Sequence, residues 1–105
     1  GYRLDVDGQS FVYSGDTGPT EALVDIAAGA DIFLCEASFV ESGVNPPNLH
    51  LTGAEAGDHA TRAGVGRLLI THIPAWTDRA EVEADTKSMW EGPCELVVPG
   101  SVYEL

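Results

Sequence analysis

The sequence predicts an α/β fold built from one mixed β-sheet and three helices. Two observations lead to this prediction: short apolar runs alternate with amphipathic segments, and turn or capping residues stand between them. Alternation of strands and helices favours a largely parallel sheet with right-handed crossovers. The expected element order is ββαβαβαββ, and we expect residues 1–105 to form a single domain or half-domain.

The first third of the chain predicts a hairpin followed by a helix. Apolar-rich runs at Arg3–Val6 and Ser10–Ser14 flank Asp7-Gly8, a dipeptide typical of tight hairpin turns. Thr20 suits the N-cap of a helix over Glu21–Ala28, because its hydroxyl oxygen can accept a hydrogen bond from a backbone N–H of the first turn.

The middle third predicts a strand, a helix and a second strand. Asp31–Glu36 is the first of these strands. Thr52 and Glu55 have the spacing of a capping box, which starts a helix that ends near Ala63. The apolar run Arg67–Thr71 follows as the next strand.

The last third predicts a helix and two strands. Asp78 and Glu81 resemble an N-terminal capping pair, and the helix they open is expected to run to Trp90. Cys94–Val98 is the following strand, and Val102–Leu105 is expected to form a terminal edge strand.

The central strand runs, at residues 32–35, 68–70 and 96–98, are continuously apolar. Such runs indicate burial on both faces of a sheet. Short crossovers of one hand place three helices most easily on one face, so the other face needs a partner. That partner is either a missing part of the chain or a second copy of it. The alternative is that the helices divide between the two faces.

Composition narrows the class of protein. The formal net charge is −12, which disfavours binding of nucleic acid by this segment alone. No run reaches the roughly 18 apolar residues of a membrane span. The N-terminus lacks an initiator Met and the apolar region of a signal peptide, so we expect a cytoplasmic chain with a cut end. Cys35 and Cys94 are expected to be buried thiols, with a disulfide as the alternative.

Four ionisable residues stand where elements begin or end: Asp16, Glu36, His50 and His72. Each taken singly has an ordinary structural explanation. Taken together, they occupy positions that a parallel sheet gathers at one edge, where open α/β folds bind ligands. A carboxylate and an imidazole are both metal ligands, but Asp16 and His72 alone cannot complete a site. His59, inside the second helix, is interpreted as a surface residue.

These motifs resemble those of the metallo-β-lactamase superfamily, specifically its ribonuclease Z-like branch. The matching segments are Ser14–Thr17, Gly29–Phe39, His50–Thr52, Glu55–Gly57, Gly64-Val65 and Leu69–His72. The resemblance implies that the chain is the C-terminal half of an αββα sandwich. The family's His-x-His-x-Asp-His cluster is absent, which assigns those ligands to a missing N-terminal half. The segment after His72, Ile73–Trp76, is more similar to bacterial phosphodiesterases than to tRNA-processing members.

The resemblance also implies residue roles. Asp16 corresponds to the carboxylate that bridges two metal ions, usually zinc and alternatively manganese, and His72 to the last histidine ligand. Glu36 and His50 correspond to a pair that assists proton transfer to the leaving group. The implied activity is hydrolysis of cyclic-nucleotide or RNA-like phosphodiesters. Two alternatives stay open: hydrolysis of a lactone, thioester or sulfate ester, and a catalytically silent half-fold that self-associates as a homodimer.

Overall fold

The chain folds as a mixed sheet with one layer of helices. A computed structural model describes residues 2–15, 20–39, 51–71 and 78–97. The strands are β1 (Tyr2–Val6), β2 (Gln9–Tyr13), β3 (Ile32–Phe39), β4 (Leu51–Thr52), β5 (Arg67–Thr71) and β6 (Cys94–Leu96), and the helices are α1 (Glu21–Ala27), α2 (Gly53–Ala63) and α3 (Arg79–Lys87). The sheet order is β1-β2-β3-β5-β6, with β4 paired to β3. Only the β1–β2 pair is antiparallel among these described strands.

The first two strands form the hairpin that the sequence predicts. Asp7 and Gly8 have φ values of 51° and 78°, the left-handed conformation that both central residues of a type I′ turn adopt. The register runs from Val6 opposite Gln9 to Tyr2 opposite Tyr13. The Asp-Gly dipeptide therefore sets which side chains of β1 and β2 share a face.

All three helices pack on the same face of the sheet. One cluster of buried side chains joins strand and helix residues: Val12, Phe33, Cys35, Leu68 and Ile70 with Leu23, Val24, Ala27, Ala56, Ala60, Ala63 and Val82. Helix α2 contacts both α1 and α3. A division of the helices between the two faces is therefore wrong, and the prediction of a one-sided helical layer is confirmed.

The opposite surface of the sheet, which we call the open face, carries exposed apolar side chains. On β1 the residues Tyr2, Leu4 and Val6 are 73%, 58% and 46% exposed. They alternate with Arg3, whose guanidinium reaches over the helical side and donates to the carbonyls of Ile26 and Ala28. The open face is thus the side that the described helices leave uncovered.

Helices α2 and α3 approach so closely that glycine is needed between them. A Cβ atom on Gly57 would lie 2.4 Å from the backbone oxygen of Thr86, and one on Gly53 would lie 2.8 Å from that of Val82. Both distances are below any normal contact. The small residues of α2 therefore determine how near α3 lies.

Some element boundaries differ from those predicted. The two-residue strand β4 was not predicted, because it is too short to show a periodic pattern. Helix α3 ends at Lys87 rather than Trp90. Beyond the end of α3, the Trp90 indole donates to the carbonyl of Pro93 at 3.0 Å. The predicted strand Val102–Leu105 lies outside the described residues, as does Val98.

No helix among the described residues has the length and apolar character needed to cross a bilayer.

Candidate functional site

The carboxyl ends of β2, β3 and β5 lie side by side, and we call this rim the carboxyl edge. Glu36 of β3 is in register with Thr71 of β5. On the other side of β3, the Ser14 N–H donates to the carbonyl of Leu34 at 2.9 Å. Thr71 directly precedes His72 in the sequence, and Gly15 directly precedes Asp16. The described residues that directly precede the two predicted ligands therefore lie on opposite sides of β3.

Ser14 ties the ends of β2 and β3 together. Its side-chain oxygen accepts the Glu36 N–H at 3.0 Å and donates to the carbonyl of Gly15 at 2.9 Å. Ser14 is only 1% exposed, so water competes little with these hydrogen bonds. The hydroxyl thus fixes the backbone at the last described residue before Asp16. Ser14 is part of the sequence motif, but its hydrogen bonds could be predicted only from the register of β2 and β3.

Glu36 is the one predicted site residue whose side chain the structure describes. It is only 4% exposed at the end of β3. Its neighbour Cys35 belongs to the core beneath the helices, so side-chain alternation places Glu36 on the open-face side of the sheet. Glutamate side chains are seldom fully buried unless they are paired with another group.

The start of α2 is joined to the same edge. Leu51 pairs with Ala37, just beyond Glu36, and Leu51 directly follows His50 in the sequence. The predicted capping box is present: the Thr52 N–H donates to Glu55 Oε1 at 2.9 Å, and the Glu55 N–H donates to Thr52 Oγ1 at 3.0 Å. This segment is therefore held next to the end of β3 by strand pairing and capping together.

A carboxylate of α3 adds a further contact to the α2 N-terminus. Asp85 Oδ2 accepts the Ala54 N–H at 2.8 Å. The sequence predicts Asp85 only as part of a solvated, capped helix face. Its contribution depends on how closely α3 packs on α2, which sequence spacing does not reveal.

The interpretation of His59 as a surface residue is wrong. His59 is 3% exposed and lies between α2 and the start of α1. Its Nδ1 lies 2.8 Å from the carbonyl oxygen of Glu55, and its Nε2 accepts the Thr20 N–H at 3.2 Å. His59 stands three residues after Ala56 and four before Ala63, both buried. This spacing is the signal that could have identified it as buried.

The other three predicted site residues, Asp16, His50 and His72, lie outside the described residues. Within the described ranges, no three His, Cys, Asp or Glu side chains come together as a metal site. The donor chemistry nonetheless fits a divalent metal ion, because Asp16 and His72 follow β2 and β5, the two strands that flank β3, and supply oxygen and nitrogen ligands. The ligand roles of Asp16 and His72 and the proton-transfer roles of Glu36 and His50 remain predictions.

Both thiols are free, as the sequence analysis expected, although Cys94 is only partly buried. Burial is the main cause that raises the pKa of each thiol. Metal ligation and nucleophilic attack both require the thiolate. The cysteines are therefore poor candidates for the chemistry of this edge.

The chain belongs to the β-lactamase superfamily, because the family model described as "Beta-lactamase superfamily domain" matches residues 1–73. Within it the chain lies in the ribonuclease Z-like branch. A ribonuclease Z of Halorubrum lacusprofundi is 33% identical over 93% of this chain and 33% of its own length. The metallo-β-lactamase fold protein YhfI from Bacillus subtilis superposes with a TM-score of 0.89 at 25% identity.

The chain spans well under half of the proteins that it matches. An uncharacterized protein of Mycobacterium leprae is 52% identical over the whole chain, which covers 37% of that protein. An uncharacterized protein of Mycobacterium tuberculosis is 50% identical, and the chain covers 39% of it. The YhfI superposition covers 96% of this chain and 42% of the other.

Proposed function

We propose that this chain forms part of a metal-dependent hydrolase that cleaves phosphodiesters. The observation that carries the proposal is the carboxyl edge, where Ser14 accepts the Glu36 N–H and Glu36 is in register with Thr71, the residue that precedes His72 in the sequence. The similarity to ribonuclease Z supports a phosphodiester rather than a lactone, thioester or sulfate ester. The strongly acidic chain favours a small phosphodiester, such as a cyclic nucleotide, over a long nucleic acid.

Asp16 and His72 would hold the metal, zinc in the first instance and manganese as the alternative. A pair of such ions supplies an activated hydroxide and stabilises charge on the phosphoryl oxygens. Glu36 would orient His50, and His50 would deliver a proton to the leaving oxygen. Ser14 holds the backbone of Glu36, and the Thr52–Glu55 capping box holds the segment that follows His50.

The remaining ligands would come from the part of the fold that this chain lacks. We propose that the chain is the C-terminal half of a longer polypeptide, which we call the complete protein. The open face, with Tyr2 and Leu4 exposed, would pack against the other half. Each such side chain contributes about 1.5–3 kcal/mol when it is fully buried.

The open face also favours self-association of the isolated chain. A second copy could cover it, because a two-fold dimer needs only a self-complementary patch. Added salt should strengthen the dimer by screening the net charge of −12. Sedimentation of the isolated chain over a range of salt concentrations tests this. A monomer that persists at high concentration and high salt would contradict the assignment of the open face as an interface.

Activity is tested with the complete protein, zinc or manganese, and bis-p-nitrophenyl phosphate, cyclic nucleotides, a lactone, a thioester and a sulfate ester. We expect metal-dependent turnover of the phosphodiesters, and none by the isolated chain. The His50→Ala and Glu36→Gln variants should lower kcat far more than they raise KM, because their roles lie in the transition state. Glu83→Gln, on the exposed side of α3, is the matched control for Glu36→Gln. Turnover confined to another ester class would refute the phosphodiesterase proposal.

A further inference from the structure

We infer that His59 is a positioning residue: it links the N-cap of α1 to the first turn of α2, the described parts of the chain that follow Asp16 and His50. The inference deepens the proposed function and rests on it. Among the described residues, Thr20 is the first after the Asp16 segment, and Thr52 and Glu55 lie in the described segment that begins at Leu51, after His50. His59 contacts the backbone of both Thr20 and Glu55.

The two contacts assign one tautomer to the His59 ring. The carbonyl of Glu55 can only accept, so Nδ1 carries the hydrogen and donates at 2.8 Å. Nε2 is then the acceptor of the Thr20 N–H at 3.2 Å. The ring therefore uses both nitrogens, one toward the first turn of α2 and one toward the N-cap of α1.

The Thr20 contact is an unusual way to hold a helix start. Thr20 already caps α1 through its own hydroxyl, which accepts the Ala22 N–H at 3.2 Å. The backbone N–H of an N-cap residue points back toward the preceding loop and has no partner within the helix. His59 supplies that partner from another helix while being only 3% exposed. Its hydrogen bond thus fixes the place where the chain leaves the Asp16 segment.

A second link between the same helices serves as a control. Arg62 of α2 forms an ion pair with Glu21, the first residue of α1. The side chains of Arg62 and Glu21 are 41% and 72% exposed, so this pair is screened by water. It joins α1 to α2 without touching the N-cap backbone. Loss of this link should leave the Asp16 segment in place.

The test uses two substitutions that each keep one of the two ring contacts. An asparagine amide nitrogen occupies the position of Nδ1, so His59→Asn keeps the donor to Glu55 and loses the acceptor for Thr20. A glutamine amide oxygen reaches the position of Nε2, so His59→Gln keeps the acceptor and loses the donor. Both variants and Arg62→Ala are made in the complete protein, and thermal melts confirm that each folds.

We expect His59→Asn to lower zinc affinity roughly tenfold, the smaller end of the range for residues that support metal ligands. Hydrogen exchange of the Thr20 amide should quicken by at least about tenfold, because its buried acceptor is lost. His59→Gln and Arg62→Ala should stay near the wild type in zinc affinity, as measured by competition with a chromophoric chelator. Equal losses in the Asn and Gln variants, or wild-type zinc affinity in His59→Asn, would overturn the positioning role.

The same measurements separate this inference from the proposed function. If the zinc affinities of the variants differ from that of the wild type as expected, but the wild type hydrolyses no phosphodiester, the proposed activity fails and the positioning role stands. If the complete wild-type protein binds no zinc, both fail. Fast exchange of the Thr20 amide in the wild type would show instead that the His59 contact itself is absent.

Discussion

Removal of the Ser14 hydroxyl should weaken both the fold and the site, whereas removal of the Ser10 hydroxyl should weaken only the fold. Ser10 lies near the start of β2 and Ser14 directly follows its last residue, Tyr13, and both serines are buried. Ser14 Oγ accepts the Glu36 N–H and donates to the carbonyl of Gly15. Ser10 Oγ instead contacts the carboxylate and the N–H of Asp31, at the amino end of β3.

The expected loss in the free energy of unfolding depends on which hydrogen-bond partners each substitution leaves in place. Ser14→Ala takes the hydroxyl acceptor from a buried N–H, which costs about 1–3 kcal/mol. Ser10→Ala should cost about 0.5–1.5 kcal/mol, because the Asp31 N–H keeps the Ser10 carbonyl at 3.0 Å as an acceptor. Urea denaturation of the complete protein measures both values. Zinc affinity should then fall severalfold in Ser14→Ala alone, since only that hydroxyl fixes the residue before Asp16.

The outcome that would refute this reasoning is a zinc affinity that falls equally in the two variants. An unchanged zinc affinity in Ser14→Ala, despite the expected loss of stability, would equally show that the carboxyl edge does not support the ligand loop.

Two further predictions concern the helical layer and the thiols. Gly57→Ala should lower the free energy of unfolding by roughly 1–2 kcal/mol, as measured by urea denaturation. Overpacking against the Thr86 carbonyl outweighs the gain in helix propensity, which is about 1 kcal/mol. A more stable variant would contradict the close approach of α2 and α3. Cys94 should react slowly with iodoacetamide in the folded protein, and Cys35 should react only after denaturation. Burial raises the pKa of both thiols, so the fraction present as thiolate is lower at any given pH. Mass spectrometry after timed labelling checks the order, and labelling of Cys35 before Cys94 would be inconsistent with the fold.

The sequence predicted those elements whose limits depend on local chemistry. The hairpin follows from Asp7-Gly8, and α2 follows from the capping box of Thr52 and Glu55. The bounds of β5, Arg67–Thr71, agree with those predicted because a short apolar run between polar residues leaves little freedom.

Features that depend on contacts between distant segments were not predicted. Strand β4 exists because Leu51 pairs with Ala37 of β3. His59 was misjudged because its partner Thr20 lies 39 residues away in the sequence. The placement of Asp16 and His72 at one edge stays a prediction, because the described register ends at Tyr13 on β2 and at Thr71 on β5.

Metal stoichiometry of the complete protein is the most direct test of the central claim, that the carboxyl edge is one side of a metal site. We expect about two zinc ions per chain, as in two-metal hydrolases, and loss of tightly bound metal in both Asp16→Ala and His72→Ala. Asp5→Ala, an exposed carboxylate on β1, should bind metal like the wild type. The isolated chain should hold zinc only weakly and below one equivalent. Zinc that survives chelation in Asp16→Ala and His72→Ala would contradict the assignment.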